Sequence, residues 1–333
     1  MTTAAIIGCG DVSIIHTEAL AEMDDVTLVG VCDPDPDRRA AAEQAHRVPG
    51  FSDHLSLLNT VHPDVVHLCT PHNQHASLAI DCLERGVNVI VEKPLAHTID
   101  EGQRLVQAAE RSTAKIAVCF QNRYNVTAQA MHRLLTSGGL GDVLGGSFTV
   151  VWHRSADYYR NRPWRGTWAG GGGGLLMNQA IHTVDLLQWL MGDVVAVNGH
   201  ASTRFLGDTI DVDDTAEFVA QHASGARSVF YATLAHATNS PVTIEVVTEK
   251  AILDLRGDLT VTYADGRTEV IAERKAPSGG RAYWGVSHEL LIRDFYARLD
   301  DDEPFWISPR EAEKSLRLVQ DIYTQSHLNG SGS

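Results

Sequence analysis

The chain has 333 residues, 44% of them hydrophobic and 21% charged, and carries a formal net charge of −15. That length supports two domains with separate cores, and the composition is that of a globular chain rather than a disordered one. The acidic balance argues against nucleic acid or an anionic membrane as a partner, since both reward clustered Lys and Arg, but it leaves room for a local basic pocket.

The first ~120 residues alternate short apolar runs with amphipathic stretches. Strands are expected at 4–8 (AAIIG), 27–32 (TLVGVC), 65–69 (VVHLC), 88–91 (NVIV) and 115–119 (KIAVC). Each is continuously apolar, as in a parallel sheet covered on both faces. Helices are expected between them at 12–23, 36–45, 74–85 and 98–111. This strand–helix repetition implies an α/β, doubly wound Rossmann sheet. After a helix near 125–136, the pattern changes to longer, alternating strands at 143–152, 194–203, 214–221, 226–234, 242–248, 251–255, 259–263 and 267–271. These imply a large, mostly antiparallel open sheet in a C-terminal α+β domain. Helices at 287–299 and 309–326 close the chain, and the tail LNGSGS is expected to be disordered. The expected domains are 1–121 and 122–330, with the closing helix near 309–326 packing back towards the first.

No signal peptide or membrane span is legible near Met1 or beyond. The five cysteines, Cys9, Cys32, Cys69, Cys82 and Cys119, lack disulfide or metal spacing. The expectation is a reduced, cytoplasmic protein without a metal.

Gly8-Cys9-Gly10-Asp11-Val12-Ser13 fits G-x-G-x-x-G/A with Ser in the third place. Alone it could be a tight turn. Here it follows the first strand, opens a helix, and is followed roughly 20 residues later by Asp33 at the end of the next strand. A bare backbone lets a pyrophosphate reach the helix N-terminus, where unpaired N–H groups and the dipole favour negative charge. Asp33 would accept from both ribose hydroxyls and repel a 2′-phosphate, which favours NAD over NADP. Arg38 and Arg39 lie close by and weaken that preference. Gly8, Gly10, Asp11, Val12 and Asp33 are therefore candidate cofactor contacts.

Two further strand-end loops are candidates, because ligands of open parallel sheets collect there. Thr70-Pro71-His72-Asn73-Gln74-His75 either caps a helix or floors the cofactor. Thr70, Pro71 and Asn73 favour contact, and His75 is a candidate with both readings open. Glu92-Lys93-Pro94 follows the fourth strand. A lysine at a buried strand tip could hold a substrate hydroxyl, lower its pKa and lie near the nicotinamide. Glu92 and Lys93 join the cofactor candidates.

The glycine start, Glu92-Lys93-Pro94 and the later GGGGLLMNQAIHTVDLLQWLMG together resemble the Gfo/Idh/MocA family of NAD(P)-dependent sugar and cyclitol oxidoreductases, over essentially the whole chain. The resemblance implies a Rossmann domain followed by an α/β domain whose open sheet often forms the oligomer interface. It also implies that Lys93 is catalytic and orients the substrate. The family places an acid and a histidine four apart on the helix after the glycine run, which falls on Asn178 and His182. Spacing of four would set both on one helical face. Many members have Asp where Asn178 stands. Either His182 acts without an acidic partner, or Asp185 supplies the charge, or Asn178 binds a substrate hydroxyl. A structural role for a buried His182 is the alternative.

Residues 152–168 (WHRSADYYRNRPWRGTW) form a polar, aromatic insert with four arginines. It is either a solvated loop or a substrate wall, since aromatic faces pack on sugars and Arg forks bind carboxylate or phosphate. Tyr158, Trp164 and Arg165 are the substrate candidates, with Arg123 weaker. The glycines at 170–174 are expected to give a flexible approach and leave room for ligand.

The expected activity is NAD-dependent hydride transfer at a secondary alcohol or ketone of a sugar, sugar derivative or cyclitol, with Lys93 and His182 sharing the proton chemistry. Alternatives are a glycoside hydrolase or lyase working by transient oxidation, and a non-catalytic NAD-binding sensor. A homodimer or homotetramer is expected, because an open sheet face would need cover.

Overall fold

The computed structural model describes residues 1–274 and 287–327; the tail LNGSGS lies outside the described residues. The chain divides into two compact units, residues 1–121 with 287–313, and residues 122–286 with 314–333. The segment 287–313 thus differs from expectation: it belongs with the first unit, not with a 122–330 domain.

The first unit runs β1 (Thr2–Ile7), α1 (Ser13–Ala21), β2 (Val26–Cys32), α2 (Pro36–His46), β3 (Gly50–Phe51), α3 (His54–Val61), β4 (Val65–Leu68), α4 (His75–Leu83), β5 (Asn88–Val91), α5 (Ile99–Arg111) and β6 (Ile116–Val118). Its six strands lie in the order β3-β2-β1-β4-β5-β6 and all pairs are parallel. This is the doubly wound order whose direction reverses between β1 and β4. All of β4 and β6 is buried, as the unbroken apolar runs require. α2 and α5 start on side-chain caps: Asp35 accepts from the Asp37 and Arg38 N–H groups, with Pro36 in the first turn, and Thr98 accepts from the N–H of Glu101. β3 and α3 were not expected. The first is only two residues long, while α3 is started by Asp53, which accepts from the Ser56 N–H.

The second unit contains α6 (Val126–Thr136), β7 (Val143–Val151), α7 (Ala156–Arg160), α8 (Trp168–Gly171), α9 (Leu175–Asn178), α10 (Ile181–Met191), β8 (Val194–Ser202), β9 (Thr215–His222), β10 (Arg227–Thr233), β11 (Thr243–Thr248), β12 (Ala251–Arg256), β13 (Asp258–Tyr263) and β14 (Thr268–Ile271). Its eight strands lie in the order β14-β13-β12-β11-β7-β10-β9-β8, antiparallel except for β10 on β7. Burial alternates along β9 and β10, so one face packs inward and the other is open. The chain closes with α11 (Ser287–Ala297) and α12 (Pro309–Gln325), and the division between the units falls within α12.

The insert contains α7, a 3₁₀ turn at Pro163–Gly166 and α8. One expectation about the stretch before β8 is corrected. The glycines at 170–174 are buried and leave no spare room: a Cβ at Gly170 would lie 2.8 Å from the Trp164 carbonyl oxygen, and at Gly173 or Gly174 it would strike Tyr323 or the Asp213 carbonyl. They allow close packing rather than flexibility.

Candidate active site

In the first unit the glycine loop is built by β1, β2 and β4 together. Gly8 has φ +94°, and a Cβ there would lie 2.6 Å from the Cys69 carbonyl oxygen after β4, so only glycine fits. Gly10 faces open space, with nothing within 4 Å of its Cβ position. The Cys9 N–H donates to Asp33 Oδ2 at 2.8 Å, and the Asp35 N–H donates to Asp33 Oδ1 at 2.9 Å. Asp33, 5% exposed, thereby ties the end of β2 to the loop after β1 while keeping lone pairs for other donors. α1 begins at Val12 without a side-chain cap. The Ser13 and Ile15 N–H groups donate to the Gly10 and Val12 carbonyls, so no side chain competes with an anion for the start of this helix.

Thr70 brings a second sign of an absent polar partner. Its Oγ1 is buried and has no hydrogen-bond partner among the described residues. An uncapped helix start, a bare glycine in front of it and an orphaned hydroxyl beside it fit a dinucleotide. Pro71 opens a 3₁₀ turn at His72–Gln74, and Asn73 on it is exposed. His75 is a correction. It is fully buried, and its ring nitrogens lie 2.7 Å from the Pro94 carbonyl and 3.0 Å from that of Thr70. Fully buried between these two carbonyls, with one nitrogen donating to either of them, it braces the two loops instead of touching a cofactor.

β5 delivers the next pair. Lys93 is half-buried, and its peptide bond to Pro94 is cis. Glu92 is buried among histidines and is corrected as a cofactor contact. It is 5% exposed, with Oε1 3.0 Å from His16 Nε2 on α1 and 3.2 Å from His288 Nε2 on α11. The two imidazoles outweigh the cost of burial and hold its carboxyl well below the usual range. His16, His67 and His288 were not singled out from the sequence.

In the second unit the structure joins two substrate candidates to each other. Arg123 Nε and Nη2 each donate at 2.7 Å to the two oxygens of Asp185, and both residues are nearly fully buried. This bidentate pair gives both residues a buried structural partner in place of the substrate expected for them. The helix expected to carry Asn178 and His182 is interrupted: α9 ends at Asn178 and α10 starts at Ile181, so the one-face argument does not hold as stated. Both residues are half-buried.

The insert gathers the remaining candidates. The Arg165 guanidinium lies 4.6 Å from the Tyr158 ring centroid and 5.5 Å from that of Trp164. Arg154 covers the same tyrosine at 5.4 Å, and Gln179 Nε2 donates to the Tyr158 hydroxyl at 3.3 Å. Tyr158 is thereby tied to the residue following Asn178. Asp213, missed in the sequence, organises the glycine run: it accepts from the N–H groups of Gly174 (2.7 Å) and Leu176 (2.9 Å) and from the Tyr323 hydroxyl (2.6 Å). Burial nevertheless pushes its carboxyl pKa up. The only available signal was the acidic pair Asp213-Asp214 ahead of an apolar strand.

These features define a nucleotide-dependent oxidoreductase with a Rossmann unit and an open-sheet unit. Residues 2–120 match the model of the oxidoreductase family with an NAD-binding Rossmann fold, and residues 128–254 match the GFO/IDH/MocA C-terminal domain. The chain belongs to the Gfo/Idh/MocA family. It is 30% identical to levoglucosan dehydrogenase of Pseudarthrobacter phenanthrenivorans over 331 residues, covering 86% of this chain and 84% of that one. It is 28% identical to D-apiose dehydrogenase of Paraburkholderia graminis over 329 residues, covering 96% and 86%. Among solved structures, it resembles the WlbA dehydrogenase from Bordetella pertussis in complex with NADH and UDP-GlcNAcA, with a TM-score of 0.84, 29% identity and coverage of 97% and 96%. Among the described residues no helix is long and apolar enough to cross a membrane.

Proposed function

We propose that this oxidoreductase transfers hydride between NAD and a secondary carbinol of a sugar, sugar derivative or cyclitol. The observation that carries it is the first unit's glycine cradle, closed by Asp33, together with a lysine at the tip of β5. The dehydrogenases of apiose, levoglucosan and inositol among its relatives support the substrate class.

Gly8, Gly10, Asp11 and Val12 would receive the pyrophosphate, Asp33 the adenine ribose, and Thr70, Pro71 and Asn73 the nicotinamide half. When bound, the cofactor supplies the hydride acceptor or donor. Lys93 donates a hydrogen bond to the reacting oxygen and stabilises the charge that develops there. His182 exchanges the hydroxyl proton. Either group is chemically able to be the final acceptor, and the pH profile of kcat in the Lys93→Ala and His182→Ala variants assigns it. Asn178, Tyr158, Trp164 and Arg165 are proposed to bind substrate, by amide hydrogen bonds and by ring faces on C–H surfaces. The protein is proposed to be cytoplasmic and homo-oligomeric.

The test follows NADH formation with NAD, and separately NADP, over inositols, aldoses, uronates, methyl glycosides and nucleotide sugars. Turnover of one substrate group, reduced by about 10²-fold or more in Lys93→Ala, is the expected result. Cleavage of a glycoside without net NADH, or NAD binding with no turnover of any substrate, would overturn it.

A further inference from the structure

Behind Glu92, the first unit buries a polar chain that the proposed reaction does not use. His67 Nδ1 lies 2.8 Å from His16 Nδ1, and His67 Nε2 lies 2.9 Å from the Tyr296 hydroxyl on α11. His16 Nε2 and His288 Nε2 both meet Glu92 Oε1, at 3.0 and 3.2 Å. Glu92 Oε2 accepts from the Lys93 backbone N–H at 3.3 Å. His16 and His67 are fully buried, His288 is 3% exposed and Tyr296 8%. His67 stands inside a parallel strand, a place normally filled by an aliphatic side chain.

The donors and acceptors have one consistent arrangement. An ionised carboxylate only accepts, so both Nε2 atoms that face it carry hydrogen. A neutral His16 then has a bare Nδ1, which must accept from a His67 Nδ1–H. The remaining His67 nitrogen is bare and accepts from the Tyr296 hydroxyl. Every proton points towards Glu92. Burial disfavours the charged form of His16 and His67, and the imidazoles favour the charged form of Glu92, in agreement with this arrangement.

We propose that His16, His67, Tyr296 and His288 are positioning residues for Lys93, forming a one-way hydrogen-bond chain that keeps the buried Glu92 carboxylate charged and fixed against the backbone of the lysine that follows it. The inference rests on the role given to Lys93 above. Its physical logic is that a buried carboxylate without these donors would take up a proton, and the acceptor for the Lys93 N–H would then weaken. The other titratable groups around the chain are the Cys69 and Cys119 thiols, both raised in pKa by burial and by Glu92, together with His75 beside Glu92, and Asp25 and Asp64 near Tyr296. His16, Glu92 and His288 also have the composition of a metal site. However, ligation through both Nε2 atoms would force a proton onto His288 Nδ1, which is buried and has no acceptor among the described residues.

Nitrogen-15 NMR of histidine-labelled wild-type protein with NAD reads the chain directly, independently of turnover. The expected result is His16 protonated on Nε2, His67 protonated on Nδ1, and neither titrating between about pH 6 and 8. The reverse tautomers, titration in that range, or tight stoichiometric binding of added Zn²⁺ that His288→Gln abolishes would each overturn the proposal. In kinetics, His16→Leu is expected to lower kcat by about ten- to a hundredfold at little cost in NAD affinity, and to move the acid limb of kcat to higher pH. His16→Gln, whose amide still donates to Glu92, restores most of the rate. The double variant His16→Leu/Glu92→Gln should be no slower than Glu92→Gln alone. Additive losses, or an unmoved acid limb in a folded His16→Leu protein, would also overturn it. Full activity in Lys93→Ala would remove the reading of Lys93 while leaving the tautomers to stand or fall by the spectra.

Discussion

The Asp33 carboxylate accepts the Cys9 backbone N–H at 2.8 Å, linking the end of β2 to the glycine loop that follows β1. One side chain therefore shapes the cradle, and in the proposed placement of the cofactor it is also the acid facing the ribose. Asp33→Ser is expected to weaken NAD binding and to reduce the preference for NAD over NADP, since the charge repelling a 2′-phosphate is gone while Arg38 and Arg39 remain nearby. Isothermal titration with both cofactors checks it. An unchanged affinity ratio would detach Asp33 from cofactor choice.

The two glycines separate folding from binding. Gly8→Ala forces a side chain onto a φ of +94° and against the Cys69 carbonyl, so it should lower the melting temperature clearly. Gly10→Ala meets open space, so stability should stay within about 0.5 kcal/mol while NAD affinity falls. Thermal melts without cofactor, set beside NAD titrations, test the contrast. Equal effects on both quantities in both variants would contradict it.

The cradle was legible in sequence because its parts are local: an apolar strand, two glycines, a helix, and an acid at the next strand's end. The open sheet was legible through strict alternation. The histidine chain was not, because its members stand 51, 76, 196 and 229 residues apart from their partners and no periodicity links them. The break between Asn178 and Ile181 was hidden for another reason. No glycine or proline marks it: the N–H groups of Gln179 and Ala180 both donate to the Leu175 carbonyl there, a local change of hydrogen-bond step that residue types do not signal. Arg123 and Asp185 looked like substrate residues because composition alone cannot show that two opposite charges neutralise each other in the interior.

That pair gives a stability prediction. Removing one partner strands a buried charge, so Asp185→Ala should cost roughly 3–5 kcal/mol. An Arg123→Met/Asp185→Leu double variant should recover a good part of the loss by replacing both charges with apolar groups. Urea denaturation of the three proteins measures this. A double variant as unstable as the single one would show that the pair also carries order that neutral groups cannot replace.

Stability should also depend on pH through His16, His67 and His75, whose pKa values burial lowers below the ordinary histidine value. In the unfolded chain these groups take up protons below about pH 6.5, whereas in the folded protein they remain neutral to lower pH. Their contribution is therefore present above that pH and lost as pH falls. Each can cost up to about 1.4 kcal/mol per pH unit once the unfolded form is fully protonated. The lowered pKa of Glu92 adds loss in the same direction below the carboxylate range. Calorimetric melts from about pH 8 to 5 should show a falling transition temperature, less steep in His67→Phe if that variant folds. A flat profile would mean that the histidines are solvated or already charged.

The open face of the second sheet carries exposed apolar side chains at matched register. Val229 on β10 stands directly opposite Val219 on β9, at 51% and 43% exposure, and Tyr231 follows two residues along β10 at 43%. Ile252 on β12 and Val195 on β8 are also exposed, at 43% and 62%. Such a face is stable in water when a second copy covers it. Val219→Lys/Val229→Lys places two like charges opposite each other on that face and leaves the inward-facing residues of both strands untouched. Sedimentation equilibrium should show the wild type as a dimer or larger and the variant shifted towards monomer, with NAD affinity retained because the cradle belongs to the first unit. A wild type that is monomeric at high concentration would leave this face uncovered and end the oligomer proposal.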